Sequence, residues 1–120
     1  MKGIERRKFQ RWKTSIPCTL EWQGSSTSGR IADLSWGGAL IKQADALPAK
    51  GTSVVISFEI NSKEVQLNGT LAARILRTVE QFSEEGEGVA WLGMYFEETE
   101  EQVRAKLTPI IRALFPEQAI

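Results

Sequence analysis

The chain contains no histidine and a single cysteine, Cys18. Without histidine no Ser-His-Asp or Cys-His constellation can be assembled, nor any metal site that uses imidazole. One cysteine excludes an intramolecular disulfide framework and a cysteine-rich zinc site. Carboxylate pairs and a lysine base stay available, so catalysis is disfavoured, and the expectation is a protein that is not an enzyme and holds no metal. Long apolar runs are missing as well. Stretches such as Val54 to Ile56 fall far short of the roughly 20 residues that cross a bilayer as a helix. No apolar core follows the positive charges at the N-terminus, which argues against a signal peptide. The lone thiol lies in an alternating apolar segment and reads as a buried core group. The cytoplasm is the expected compartment, without membrane insertion.

Net charge is also lacking, since 15 cations balance 15 carboxylates. The balance hides an asymmetry. Met1 to Lys13 carries six cations (Lys2, Arg6, Arg7, Lys8, Arg11, Lys13) against Glu5, a net +5, whereas Glu80 to Glu101 carries eight glutamates and no cation. A long polyanion would be repelled by the acidic end, so a coat for long nucleic acid is not expected. A small anionic ligand that meets only the basic end has no such difficulty.

What is present reads as one domain. Residues 1–13 have little apolar periodicity and suggest a flexible basic arm, with residues 14–120 forming the folded unit. Thr14–Trp22 alternates Ile16, Cys18, Leu20 and Trp22 on one face. Gln23 to Gly29 reads as a polar hairpin loop. Arg30–Leu34 and Ala39–Lys42 suggest two more strands around Ser35-Trp-Gly-Gly38. Ser53–Ile60 alternates cleanly, with Val54, Ile56, Phe58 and Ile60 inward. Glu64–Val79 reads as a long strand in which Gly69 predicts a bend or bulge. Val89–Phe96 is apolar on both faces. Trp22 and Trp91 read as core. Thr99-Glu-Glu-Gln102 matches a capping box, and Val103, Leu107, Ile110, Ile111 and Leu114 form one helical stripe. Pro109 predicts a kink or two short helices. The carboxylates of 97–101 suit the start of that helix. The fold class is therefore all-β with a C-terminal helix, a six-stranded antiparallel barrel.

Two segments carry the chemistry. The first is Arg6-Arg7-Lys8-Phe9-Gln10-Arg11, with arginines at 7 and 11 and another at 6. The second is Asp33-Leu34-Ser35-Trp36-Gly37-Gly38, an Asp-x-Ser-x-x-Gly element between two strands. A solvated basic terminus and an ordinary turn are the bland readings of each, since Asp, Ser and Gly favour turns for backbone reasons. Together, in this order and about twenty residues apart, the two segments resemble the signature elements of the PilZ domain family. A Gly-Val-x-x-x-Gly-x-x-Phe strand at Gly88–Phe96 before a helix extends the likeness over essentially the whole chain.

The resemblance implies a PilZ-like split barrel that binds cyclic di-GMP, usually as an intercalated dimer of the dinucleotide. The ligand is then cyclic di-GMP and no cofactor is expected. A guanidinium can bond a phosphate or the O6/N7 edge of guanine through paired N–H donors and can stack on the base, whereas lysine offers a point charge. Arg7 and Arg11 are assigned to these contacts, with Arg6 adding to them. Asp33 accepts from guanine N1–H and N2–H2, which adenine cannot match. Ser35 donates to a phosphate or base oxygen. Gly38 and Gly37 allow close approach and positive φ. Trp36 shields the site or stacks on a base, and Trp12 either lines the pocket or anchors the arm. Four or five such contacts, less the cost of association, give a dissociation constant on the order of micromolar, about −8 kcal/mol.

The expected function is a regulatory receptor whose arm orders on the ligand and which signals to a separate, unidentified protein, as a monomer or weak homodimer. Two alternatives are a PilZ-like protein–protein interaction module without nucleotide binding and a small-barrel single-stranded nucleic-acid binder.

Overall fold

The computed structural model describes residues 10–42, 48–61, 66–82 and 88–117. Among the described residues six strands and one helix follow in order: β1 (Arg11–Trp22), β2 (Ser25–Ser35), β3 (Gly38–Lys42), β4 (Ser53–Asn61), β5 (Gln66–Phe82), β6 (Gly88–Phe96) and α1 (Glu100–Leu114). All strand pairings are antiparallel, and they close as β1-β2-β3-β6-β5-β4. Two three-stranded meanders, β1–β3 and β4–β6, are thus joined along β3/β6 and β1/β4. The inward residues of every strand fill the interior: Leu20, Leu34, Ile41, Ile56, Leu71, Ile75 and Leu92 are almost wholly removed from water. Val103, Leu107, Ile110 and Ile111 of α1 join this core.

Several local expectations are corrected. β1 begins at Arg11 and buries Trp12, so residues 11–13, placed with the arm from the sequence, are strand residues. Residues 1–9 lie outside the described residues. The segment from Gln23 to Gly29 is not a loop. Gln23 (φ 46°) and Gly24 (φ 79°) form a two-residue turn of the kind that matches strand twist, and pairing resumes at Trp22↔Ser25. Serine and threonine there are strand residues with a solvated face, which is why polarity misled.

Gly69 makes no bulge. It sits in unbroken register opposite Phe58, whose ring fills the place of its side chain, and a Cβ on Gly69 would come within 2.9 Å of that ring. The bulge in β5 falls instead at Leu76, between Ile75↔Met94 and Arg77↔Gly93. Nor does Pro109 divide the helix. α1 runs continuously from Glu100 to Leu114, because burial of Val103 and Leu107 before the proline, and Ile110 and Ile111 after it, outweighs one lost backbone bond. Its Thr99/Gln102 capping box is present as expected.

Glu97 and Glu98 do not serve the helix start. Glu97 accepts from Ser53 Oγ at 2.9 Å and from Arg74 at 2.9 and 3.0 Å, and Arg74 also donates to the Gly51 carbonyl. Glu98 accepts from the Ala72 amide at 2.8 Å and from Lys106 Nζ at 2.8 Å, while Lys106 also donates to the Thr70 carbonyl. The pair clamps the β6–α1 corner onto β4 and β5.

Candidate functional site

Parity along a strand decides which face a side chain meets. Ile31 points into the barrel, and an unbroken strand would send Asp33 inward after it. A bulge between Ile31 and Asp33 on the β3 side inserts Ala32, so Asp33 turns out and Leu34 takes the core position. On the β1 side Thr14 and Ser15 oppose that same residue. Their irregular backbone is held by Thr14 Oγ1 donating to the Ile31 carbonyl at 2.7 Å and by Arg30 donating to Ser15 Oγ and its carbonyl, each at 2.8 Å.

The Leu76 bulge does the same for β5. Ile75 is buried, and Arg77 emerges on the outer face two positions later. Asp33↔Leu40, Leu40↔Gly93 and Gly93↔Arg77 then form one outward row across β2, β3, β6 and β5. The neighbouring row is Arg30↔Lys42, Lys42↔Trp91 and Trp91↔Val79.

The result is a shallow concavity of about 260 Å³ lined by Leu40, Arg77, Val79, Trp91 and Gly93. Most of its lining is apolar. Arg77 lies across Gly93, with Cγ and Nε 3.1 Å from where a Cβ would stand, and Lys42 Nζ is 5.9 Å from the centroid of the Trp91 ring. Two larger clefts, about 640 and 410 Å³, lie along the β1/β4 side and contain neither Arg11 nor Asp33.

At the β1–β2 edge of this face Arg11 Nη1 stands 3.4 Å from Asp33 Oδ2. The contact is at the long limit for a charge-assisted bond. Asp33 Oδ1 is buried and has no hydrogen-bond partner among the described residues. A carboxylate oxygen shielded from water without a donor is costly, and such an exception asks for an explanation. The Ser35 hydroxyl is engaged locally. It accepts from the amides of Gly37 and Gly38, each at 3.2 Å, and donates to the Gly38 carbonyl at 3.3 Å. This fixes the Asp33–Gly38 loop.

Gly37 and Gly38 do not adopt positive φ, which among the described residues is confined to Gln23, Gly24 and Gly51. Gly38 is needed for a different close approach: a Cβ there would strike the Met94 carbonyl oxygen of β6. Trp36 is buried and meets Trp12 edge to face, centroids 5.0 Å apart at 71°, with the Arg104 guanidinium 4.8 Å from its centroid. Little of its ring is left for a base, so the expected shielding or stacking role gives way to core packing. Trp12 likewise belongs to the core.

Of the residues singled out from the sequence, the structure brings together Arg11, Asp33, Ser35, Trp36, Gly37 and Gly38; Arg6 and Arg7 lie outside the described residues. Sequence reasoning missed Leu40, Lys42, Arg77, Val79 and Gly93, and it placed Trp91 in the core where the structure turns it outward. The alternation of Trp91, Gly93 and Tyr95 against Leu92, Met94 and Phe96 carried that signal. For Arg77 the doubled apolar pair Ile75-Leu76 was the available hint of a bulge.

Comparison with known proteins accords with this geometry. No curated protein sequence matches the chain. Among solved structures, the PilZ domain of YcgR from Escherichia coli, determined with c-di-GMP, superposes with a TM-score of 0.73 at 21% identity, covering 93% of each chain. The Borreliella burgdorferi PlzA protein in complex with c-di-GMP gives 0.57 at 16% identity, covering 98% of this chain and 56% of that one. The Bacillus subtilis inhibitor of motility MotI/DgrA gives 0.66 at 18% identity, covering 94% of this chain and 53% of that one. The chain thus spans about half the length of the last two, and at these identities the likeness is one of fold. The PilZ domain family model matches residues 5–113, and with that span the chain belongs to the PilZ domain family.

Proposed function

We propose that this chain is a receptor for cyclic di-GMP, acting by binding and not by catalysis. Homologous PilZ domains bind this dinucleotide and act in regulation. One observation carries the reading here: a buried carboxylate oxygen on Asp33, without a donor among the described residues, stands beside Arg11 at the rim of a shallow, mostly apolar floor. Guanine N1–H and N2–H2 are a donor pair that such a carboxylate lacks, and a purine ring is flat enough for the Leu40, Val79 and Trp91 surface. Arg11, released from its long contact, turns to a phosphate or to the O6/N7 edge. Arg77 and Lys42 supply further positive charge beside the floor. Ser35 and Gly38 act by holding the loop that presents Asp33.

Arg6 and Arg7 complete the ligand shell by closing over the face when the dinucleotide arrives. The change of surface that follows is the signal offered to a partner protein. The ligand adds charge-assisted contacts without any reacting group, which is what a regulator requires.

Isothermal titration calorimetry tests this. Cyclic di-GMP should bind with a dissociation constant on the order of micromolar, and cyclic di-AMP should bind about 100-fold more weakly because Asp33 rejects its adenines. Arg7→Ala and Arg11→Ala should each abolish the heat signal without lowering the melting temperature of the free protein. Equal affinity for both dinucleotides, or wild-type titration by both variants, overturns the assignment. A strong preference for single-stranded oligonucleotides would favour the nucleic-acid binder instead.

A further inference from the structure

The two motif segments each send a tryptophan to the same place. Trp12 follows Arg11, and Trp36 follows Ser35. Across the β1–β2 ladder Arg11 faces Ser35 and Lys13 faces Asp33, so the outward side of this register is the charged rim of the site and the inward side is the indole pair. On the far side of Trp36 lies Arg104 of α1, 4.8 Å from the ring centroid, itself bonded at 2.9 Å to Glu100 one helical turn earlier. Rim, indole pair and helix are therefore in unbroken contact.

The geometry points to a coupling device: Trp12, Trp36 and Arg104 connect the Arg11/Asp33 rim to α1, so that occupancy of the rim is read at the helix. The inference rests on the receptor reading. Coupling requires that the linked groups differ between two states, and two observations supply the difference. The Arg11–Asp33 contact is long and Oδ1 has no donor among the described residues, so a ligand with better donors and acceptors draws the two ends apart. The loop between them is also cross-braced. Ser35 bonds both Gly37 and Gly38, and the Gly37 carbonyl accepts from the Phe96 amide at 3.0 Å, so a pull on Asp33 reaches Trp36 instead of being absorbed by slack backbone.

The reader at the other end is suited to small displacements. A guanidinium over an indole depends on its position over the ring face, and the Arg104 side chain is nearly half exposed, so it can shift without repacking the core. Lys106 and Glu98 tie the same helix to β5, so a shift of the Arg104 side chain is registered against a fixed clamp.

Arg104→Met keeps the reach and removes the charge, Arg104→Lys keeps the charge, and neither touches a proposed ligand group. With cyclic di-GMP added to the wild type, the Trp36 indole N–H resonance should shift, and amide exchange over 100–108 should change at least about threefold. In Arg104→Met the dinucleotide should bind within about threefold of wild type and still shift Trp36, while the helix no longer responds; Arg104→Lys should restore part of the response. A helix that responds equally in Arg104→Met, or fails to respond in a ligand-bound wild type, overturns the coupling and leaves the receptor reading standing. Absence of binding overturns the receptor reading alone, because the coupling has its own test in the free protein. There, Asp33→Asn and Arg104→Met should shift the melting temperature non-additively, and additive shifts sink the coupling.

Discussion

The chain builds two clusters of opposite charge, and they are finished to different degrees. At the β6–α1 corner, Glu97 and Glu98 present four carboxylate oxygens, and each receives a donor at 2.8 to 3.0 Å. At the β1–β2 edge, Asp33 has one contact at 3.4 Å and one buried oxygen with no described partner. The first cluster is complete without help and joins β4, β5, β6 and α1. The second is left wanting donors among the described residues, and two of the similar solved structures, the YcgR PilZ domain and PlzA, contain c-di-GMP. Satisfied polar networks specify a fold, whereas an unsatisfied group is retained against its own cost when something else uses it. On the proposed receptor function, the difference separates scaffold from site more sharply than charge or burial alone.

Gly38 tests where the boundary lies, and its effect should be the largest. It belongs to the signature loop, yet a Cβ on it meets the backbone of β6 and not a ligand. Backbone cannot yield as a side chain does, so Gly38→Val should cost about 3 kcal/mol or more in denaturant unfolding. A variant that folds normally and only loses ligand would move Gly38 to the site side of the comparison.

Paired substitutions at the two clusters should diverge next. Asp33→Asn removes the charge and half of the acceptors for guanine, so cyclic di-GMP affinity should fall about 100-fold, while the free protein keeps or gains stability because a poorly partnered carboxylate is gone. Glu98→Gln should do the reverse, costing about 1–2 kcal/mol of stability through weakened charge-assisted bonds and leaving ligand affinity unchanged. If both variants mainly destabilise, Asp33 is part of the scaffold. Arg77→Ala sharpens the site side further, with an expected loss of about tenfold in affinity.

How much of this was legible follows the same division. Arg11, Asp33, Ser35 and Gly38 could be singled out as candidates because their chemistry is tied to residue type at short spacing. The six strands and the capped helix could be found because apolar periodicity and the Thr99/Gln102 box are local signals. What could not be read was the face. Ala32 has no feature that announces a bulge, yet without it Asp33 would point into the core beside Ile31. The apolar floor was hidden for a related reason, since Leu40, Gly93 and Arg77 are neighbours only through the pairing of β3 with β6 and β6 with β5. Ser35 and the glycines could be identified by position, but the bonds that Ser35 makes within the loop and the close approach of Gly38 to β6 could not. Residue type announced the segment, and register decided what each residue does.

Acid should loosen the finished cluster. Burial pushes the Glu98 carboxyl upward, but the bonds from Lys106 and the Ala72 amide outweigh it and hold it below the ordinary value of 4.5. Ser53 and Arg74 hold Glu97 down in the same direction. A carboxyl with a lowered folded pKa stabilises the fold above its unfolded value and loses that contribution as pH falls through the folded value. Melting temperature should therefore decline as pH drops below 4.5, with Glu98→Gln showing a flatter decline. Parallel declines in the two proteins would remove the corner from the account.

The smallest effect concerns a group that belongs to neither cluster. Cys18 faces Gly29 and Phe58 inside the barrel, and burial pushes its thiol up from 9.0 to about 11, against the opposing influence of Arg30 and the Gly29 amide. A raised folded value favours the neutral thiol, so its contribution to stability is complete below pH 9 and is lost as pH climbs through 11. The thiolate is the reactive form. Native protein at pH 8 should consequently resist iodoacetamide, with labelling appearing only as the barrel unfolds, and Cys18→Ala should flatten the alkaline decline in stability. Rapid alkylation without denaturant would mean that the β1/β4 side opens readily, and that the rigid half of the comparison is smaller than the clamp at Glu97 and Glu98 implies.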